Sequence, residues 1–150
     1  MATEVNFYHL TRTSLEDALP RLLLKTLQAG ERAVVIVGSP ERVDALNTHL
    51  WTFHPDSFLP HGSAKDGEAD RQPIWLTHHD ENPNGARFLL IADRARSDRM
   101  AEYTRCFELF DGRDETAVAE SRERWRAYKA AGHKVVYWQQ TATGGWEKNA

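Results

Sequence analysis

Ala33-Val34-Val35-Ile36-Val37-Gly38-Ser39-Pro40 is the stretch whose reading decides the fold. Its first five residues are apolar without a break. A strand with one wet face alternates apolar with polar, so an unbroken run suits a strand covered on both faces, as in a parallel sheet. Gly38-Ser39-Pro40 then turns the chain into a helix, with Ser39 as N-cap and Pro40 at the first helical position. Val43, Leu46, Leu50 and Trp51 recur at helical spacing and are expected to face the core.

The same alternation extends to either side. Residues 5–10 read as a first strand. Thr13-Ser14-Leu15-Glu16 matches a capping box, with Thr13 as N-cap and Glu16 three residues on. Leu15, Leu19, Leu22, Leu23 and Leu27 share a helical face that stops at Gly30. Pro20 is awkward inside that helix, so the helix either kinks or starts properly near it. Downstream, residues 56–60 read as a short extended piece and 61–72 as a mobile loop. Strands are expected at 74–77, 87–91, 106–110 and 134–139. A short helix is expected at 97–103 and a long one at 115–131, ending at Gly132. Residues from about 141 read as a loose tail. Alternating strands and helices give an α/β class: a mostly parallel sheet with helices on both faces. No repeat or interdomain linker divides the chain, so residues 1–150 read as a single domain.

Composition excludes several function classes. Of the 150 residues, 41% are apolar and 27% charged, an ordinary globular balance. No run approaches the ~20 apolar residues of a membrane span. Lys and Arg total 19 against 22 Asp and Glu, a formal charge of −3. That acidity argues against strong general DNA binding and leaves only a local basic patch, to be found by position. One cysteine, Cys106, sits in an apolar run and reads as an inert core thiol in a reducing, cytoplasmic setting.

Open α/β sheets bind ligands at the loops that follow the carboxyl ends of their strands. Thr11-Arg12-Thr13 has no glycine, and Gly38-Ser39-Pro40-Glu41 places Pro and Glu where a phosphate loop needs donors. Neither loop lets the backbone approach a pyrophosphate. No cofactor is implied. His78-His79-Asp80 is the tight histidine cluster, but neighbours in an extended segment point to opposite sides and chelate poorly. No metal site is implied either.

One helical face stands out, in Arg122-Glu123-Arg124-Trp125-Arg126-Ala127-Tyr128-Lys129. At roughly 100° per residue, Arg122, Arg126 and Lys129 form a cationic stripe. Val118 and Trp125 lie on its border, and Ala117, Ser121 and Tyr128 lie beyond, on the expected core face. An apolar notch flanked by cations suits a peptide ending in an apolar side chain and a carboxylate. A plainer reading stays open: cations late in a helix complement its dipole, and Trp125 is then packing alone.

At this point the chain resembles a known family, the chi subunit of bacterial DNA polymerase III holoenzyme. The residues that carry the resemblance are Val5-Asn6-Phe7-Tyr8-His9-Leu10, the strand leading from Gly30 to Val37, Leu50-Trp51, Ser57-Phe58-Leu59-Pro60-His61 and, above all, 122–132. The resemblance implies a Rossmann-like sheet without catalysis. It implies an adaptor that binds the acidic C-terminal tail of single-stranded-DNA-binding protein through residues matching Arg122, Trp125 and Arg126. The helical stripe adds Lys129 and Val118. It further implies a second partner, the psi subunit that links chi to the clamp loader, or a helicase, docking near Phe58, Pro60 and His61. Trp125 stands where the family usually has Tyr, and the chain beyond Gly132 departs from the pattern. The competing function is a small-molecule or nucleotide-binding protein that uses the switch point of the sheet.

Overall fold

In the computed structural model, which describes residues 3–52, 60–143 and 145–148, the apolar run becomes a strand inside a sheet. The elements in chain order are β1 (Glu4–Leu10), α1 (Leu15–Gln28), β2 (Ala33–Ile36), α2 (Pro40–Thr52), β3 (Gly62–Ser63), β4 (Ile74–Thr77), β5 (Phe88–Ile91), β6 (Arg105–Asp111), α3 (Glu115–Ala130), β7 (Lys134–Gln140) and β8 (Trp146–Lys148). The sheet order is β3-β4-β2-β5-β6-β1-β7-β8. Every pairing is parallel except β7 with β8. The α/β, Rossmann-like architecture expected from the alternation is therefore present.

The unbroken run is explained by the two cores it serves. Ala33, Val35 and Val37 pack with Leu19, Leu23, Leu46 and Leu50 under α1 and α2. Val34 and Ile36 point the other way, into a core with Val5, Phe7, Leu89 and Ala117 of α3. Burial of each such Val or Ile side chain stabilises the fold by about 1.5–3 kcal/mol, so neither face of β2 tolerates a polar residue.

Local details depart from the sequence reading. α1 starts at Leu15 with Ser14 at the N-cap, and that cap makes no side-chain hydrogen bond. The Thr13 hydroxyl is taken instead by Gln140, whose Nε2 donates to it over 2.7 Å. Gln140 Oε1 in turn accepts from the backbone N–H groups of Thr11, Arg12 and Thr13. A partner 127 residues away has replaced the capping box. Pro20 neither starts nor ends α1 but sits inside it. Its missing N–H orphans the carbonyl four residues back, that of Glu16. His49 Nε2 donates to that carbonyl over 2.6 Å, so α2 repairs the defect in α1.

In α2, Ser39 Oγ accepts from the Arg42 N–H, as an N-cap should. Val43, Leu46 and Leu50 are buried, but Trp51, expected in the core, is 49% exposed. Most of the expected extended piece at 56–60 lies outside the described residues. The expected mobile loop at 61–72 contains β3, which pairs with β4, and a short 3-10 turn at Ala69–Arg71. The expected helix at 97–103 shrinks to a 3-10 turn at Met100–Glu102. The buried Thr3 hydroxyl bonds the Met100 and Tyr103 carbonyls and holds that turn short. In place of a loose end, residues 146–148 pair with β7. The reason is Trp146, whose ring meets Tyr8 edge-on at 4.9 Å.

Candidate functional site

The sequence-predicted stripe lies on α3, which is well bounded. Asp114 caps its start, accepting from the N–H groups of Thr116 and Ala117. Gly132 follows its end with φ +90°, a value that glycine adopts without strain. α3 covers the sheet face that carries Phe7, Glu108 and Tyr137 in register, followed by His9 and Phe110. The small buried residues Ala117 and Ser121 let the helix approach closely.

That approach leaves a cavity of about 240 Å3 between helix and sheet, lined by Phe7, Phe110, Val118, Ser121, Arg122, Trp125 and Tyr137. Trp125 is half-buried. Its ring stands 5.6 Å from Phe7 and 6.0 Å from Tyr137, forming one aromatic wall. A groove of about 560 Å3 adjoins the cavity along the helix, lined by Arg122, Trp125, Arg126, Lys129 and Ala130. Arg122, Arg126 and Lys129 are exposed. The structure thus brings together all five residues read from the helix, and Arg122 and Trp125 line both spaces.

Sequence reasoning missed three contributors to this region. Phe7 and Phe110 read only as strand residues; the sheet register is what aims them under α3. His9 carries the third contribution. Its Nδ1 meets the Tyr137 hydroxyl, and Gly112 allows this because a Cβ there would lie 2.0 Å from His9 Nε2. Burial holds His9 below the ordinary histidine range, and the nearby Arg122 charge adds to that effect. Arg124, inside the same motif, plays a different part. Its Nε donates to Glu108 Oε2 over 2.7 Å, with the two side chains 13% and 2% exposed. Burial pushes the Glu108 carboxyl up, and Arg124 opposes the shift. Arg124 therefore docks the helix, whereas Arg122, two residues away, faces solvent.

The second predicted region divides. Phe58 lies outside the described residues. Pro60 is half-buried, and His61 is 4% exposed, so His61 is not a surface residue. It lies beneath Trp51, ring to ring at 4.2 Å, and its Nε2 donates to the Asn47 carbonyl. Among the described residues here, the exposed ring is that of Trp51.

A third space of about 420 Å3 lies at the carboxyl ends of β1, β5 and β6, the switch point where a nucleotide was weighed. Its cations are each matched by an acid. Arg42 pairs with Glu16 and Asp93, Arg113 with Asp111, and Arg94 with Glu120. The donors of the Thr11-Arg12-Thr13 loop face Gln140 Oε1, so no N–H cradle for a phosphate forms there. The rings of His78 and His79 meet at a tilt of 40°, with centroids 3.9 Å apart, because they lie in a bend rather than in an extended strand. Asp80 beside them accepts from Ser97 Oγ and the Asp98 N–H. Among the described residues no group of three or more His, Cys, Asp or Glu is placed to hold a metal, and no helix is long and apolar enough to cross a membrane. Cys106 is fully buried, and burial pushes its thiol well above the ordinary value.

Comparison with known proteins bears on the whole chain. The sequence model of the family described as "DNA polymerase III chi subunit, HolC" matches residues 2–136. A protein of Rickettsia prowazekii (strain Madrid E), named as a probable DNA polymerase III subunit chi, is 31% identical over 108 residues. That match covers 70% of this chain and 66% of the relative. The DNA polymerase III subunit chi of Escherichia coli (strain K12) is 22% identical over 124 residues, covering 82% of this chain and 84% of the relative.

Proposed function

The chain belongs to the DNA polymerase III chi subunit family, and from that membership we propose that it is a non-catalytic replication adaptor. On this reading its α3 surface holds the acidic C-terminal tail of single-stranded-DNA-binding protein, and the protein links that tail to the clamp loader. The observation that carries the reading is the shared wall of Arg122 and Trp125 between an apolar cavity and a cationic groove. A chain terminus offers an apolar side chain and a carboxylate on one carbon, and the two spaces receive those two groups side by side.

The roles follow from the chemistry. The Arg122 guanidinium is a planar fork suited to the terminal carboxylate. Val118 and Trp125 wall the cavity for a terminal phenylalanine, and aromatic contacts of this kind add about 0.5–1.5 kcal/mol beyond area burial. Arg126 and Lys129, exposed along the groove, attract the aspartates of the tail, so binding weakens as salt rises. A second partner, the psi subunit or a helicase, docks beside Trp51 and Pro60, with Phe58 contributing. His61 then serves from below, by supporting the Trp51 ring.

Calorimetry with an acidic peptide ending in Pro-Phe, at low and moderate salt, tests the site. Arg122→Ala should lose more affinity than Lys129→Ala, and a peptide lacking the last Phe should not bind. A folded Arg122→Ala protein that holds the tail as tightly as the wild type refutes the assignment.

A further inference from the structure

On the sheet face opposite α3, the register places another set of rings together. Tyr8 pairs with Trp138, and Trp146 stands opposite Gln140 on the same face. Tyr8 and Trp138 lie parallel to within 9°, and Trp138 Nε1 is held by Asn6 Oδ1. Phe107 and Phe88 continue the series toward β5, with centroid spacings of 6.0 Å from Tyr8 to Phe107 and 5.7 Å from Phe107 to Phe88. Each of the five adjacent strands β5, β6, β1, β7 and β8 therefore contributes one half-buried ring to one face.

α1 and α2 cover the other half of this face, packing on β6 and on β3 and β4. α3 lies on the far side of the sheet. Tyr8, Phe88, Phe107 and Trp146 rest with one side on the core under α1 and α2 and stay partly exposed, and Trp138 lies outside that core. Cations rim the row. Lys134 and Lys148 are exposed, Lys148 directly across from Trp138. Arg105 lies over the Phe88 ring at 5.7 Å and pairs with Glu4. On α1, Glu16 faces α2 through Arg42. Arg21 and Lys25 of α1 are exposed. Glu147, between Trp146 and Lys148, alternates to the other face.

We propose that this face is a stacking surface for single-stranded DNA. The ligand must offer flat rings to the aromatic row and negative charge to the rim. Unpaired bases on a phosphate backbone offer both, and base–aromatic stacking contributes whatever the sequence. An apolar peptide leaves the cations unmatched, and an acidic peptide with one terminal aromatic residue matches only one ring of the row, whereas successive bases match several. The net charge of −3 does not by itself oppose this, because Lys134 and Lys148 stand exposed on β7 and β8, at one end of the strand order. The proposal does not rest on the tail site, which occupies the other face.

Fluorescence anisotropy of the full chain with a labelled thymidine oligomer of about 15 nucleotides is the test. With about four phosphates neutralised at a slope of about −0.7 each, affinity falls about 50-fold when salt rises fourfold from about 50 mM. The double variant Lys134→Glu/Lys148→Glu loses at least about tenfold in oligomer affinity while retaining the acidic-peptide binding of α3. Trp146→Ala, near the end of the chain, loses about tenfold, with circular dichroism confirming the fold. Arg122→Ala leaves oligomer affinity within about twofold. The proposal is overturned by an absence of binding at about 50 mM salt, by equal binding of a duplex, or by tighter binding of a uridine ribo-oligomer of the same length. It is overturned equally if oligomer binding follows Arg122→Ala instead of the sheet-face variants.

Discussion

Replacing Arg124 by alanine should destabilise the protein by about 3 kcal/mol at neutral pH and make its stability depend on pH. Removing one partner of a buried ion pair costs about 3–5 kcal/mol, since it leaves an uncompensated charge. Here that charge is Glu108, 2% exposed and 2.7 Å from the guanidinium. The lower end of the range applies because Arg124 Nη1 is a buried donor without a hydrogen-bond partner, and the substitution removes that cost too. Burial already raises the Glu108 carboxyl, and losing Arg124 raises it further. The folded state then holds a proton that the unfolded chain releases. Stability is fully present below the unfolded pKa and is lost as pH rises through the raised folded pKa, at about 1.36 kcal/mol per unit of separation. Urea unfolding at pH 5 and 7.5 should show a deficit that shrinks in acid, and at neutral pH Tm should fall by about 6–12 °C for a chain of this size. The apolar pair Arg124→Met/Glu108→Leu should recover most of the loss. A deficit below about 1 kcal/mol, or one equal at both pH values, would falsify the argument.

Three further outcomes are expected. His49→Ala orphans the Glu16 carbonyl and should cost about 1–3 kcal/mol in urea unfolding; Pro20→Ala in the same background should restore part of it by returning the N–H, and no restoration sinks the explanation. In an NMR titration His9 should protonate below the ordinary histidine range, rise when Arg122 becomes alanine, and make the fold lose stability as pH falls through that lowered value; an unmoved His9 in Arg122→Ala contradicts the coupling. Cys106 should resist alkylation in the native protein and react quickly in denaturant, whereas fast native labelling contradicts its burial.

The sequence determined those properties that depend on neighbours within a few residues. Residues 33–37 told of a doubly covered strand because both cores act on one short apolar run. Helical angles placed Val118, Arg122, Trp125, Arg126 and Lys129 on one stripe because 3.6-residue periodicity is local. Trp51 shows the limit of that arithmetic: its spacing admitted burial, but the ring lies at the border of the face and comes to rest outside, over His61. What depends on distant partners was decided only by the tertiary structure. Gln140 displaced the expected cap at Thr13, and His49 made Pro20 tolerable, because a buried polar group takes whichever partner the fold brings near. Within one motif, Arg122 and Arg124 differ in role only because β6 places Glu108 beneath one of them. Phe7, Phe110 and Tyr137 became a cavity wall, and Tyr8, Trp138 and Trp146 a half-buried aromatic row on the other face, through strand register. Register is a relation between segments up to 130 positions apart, and no local pattern of residues encodes it.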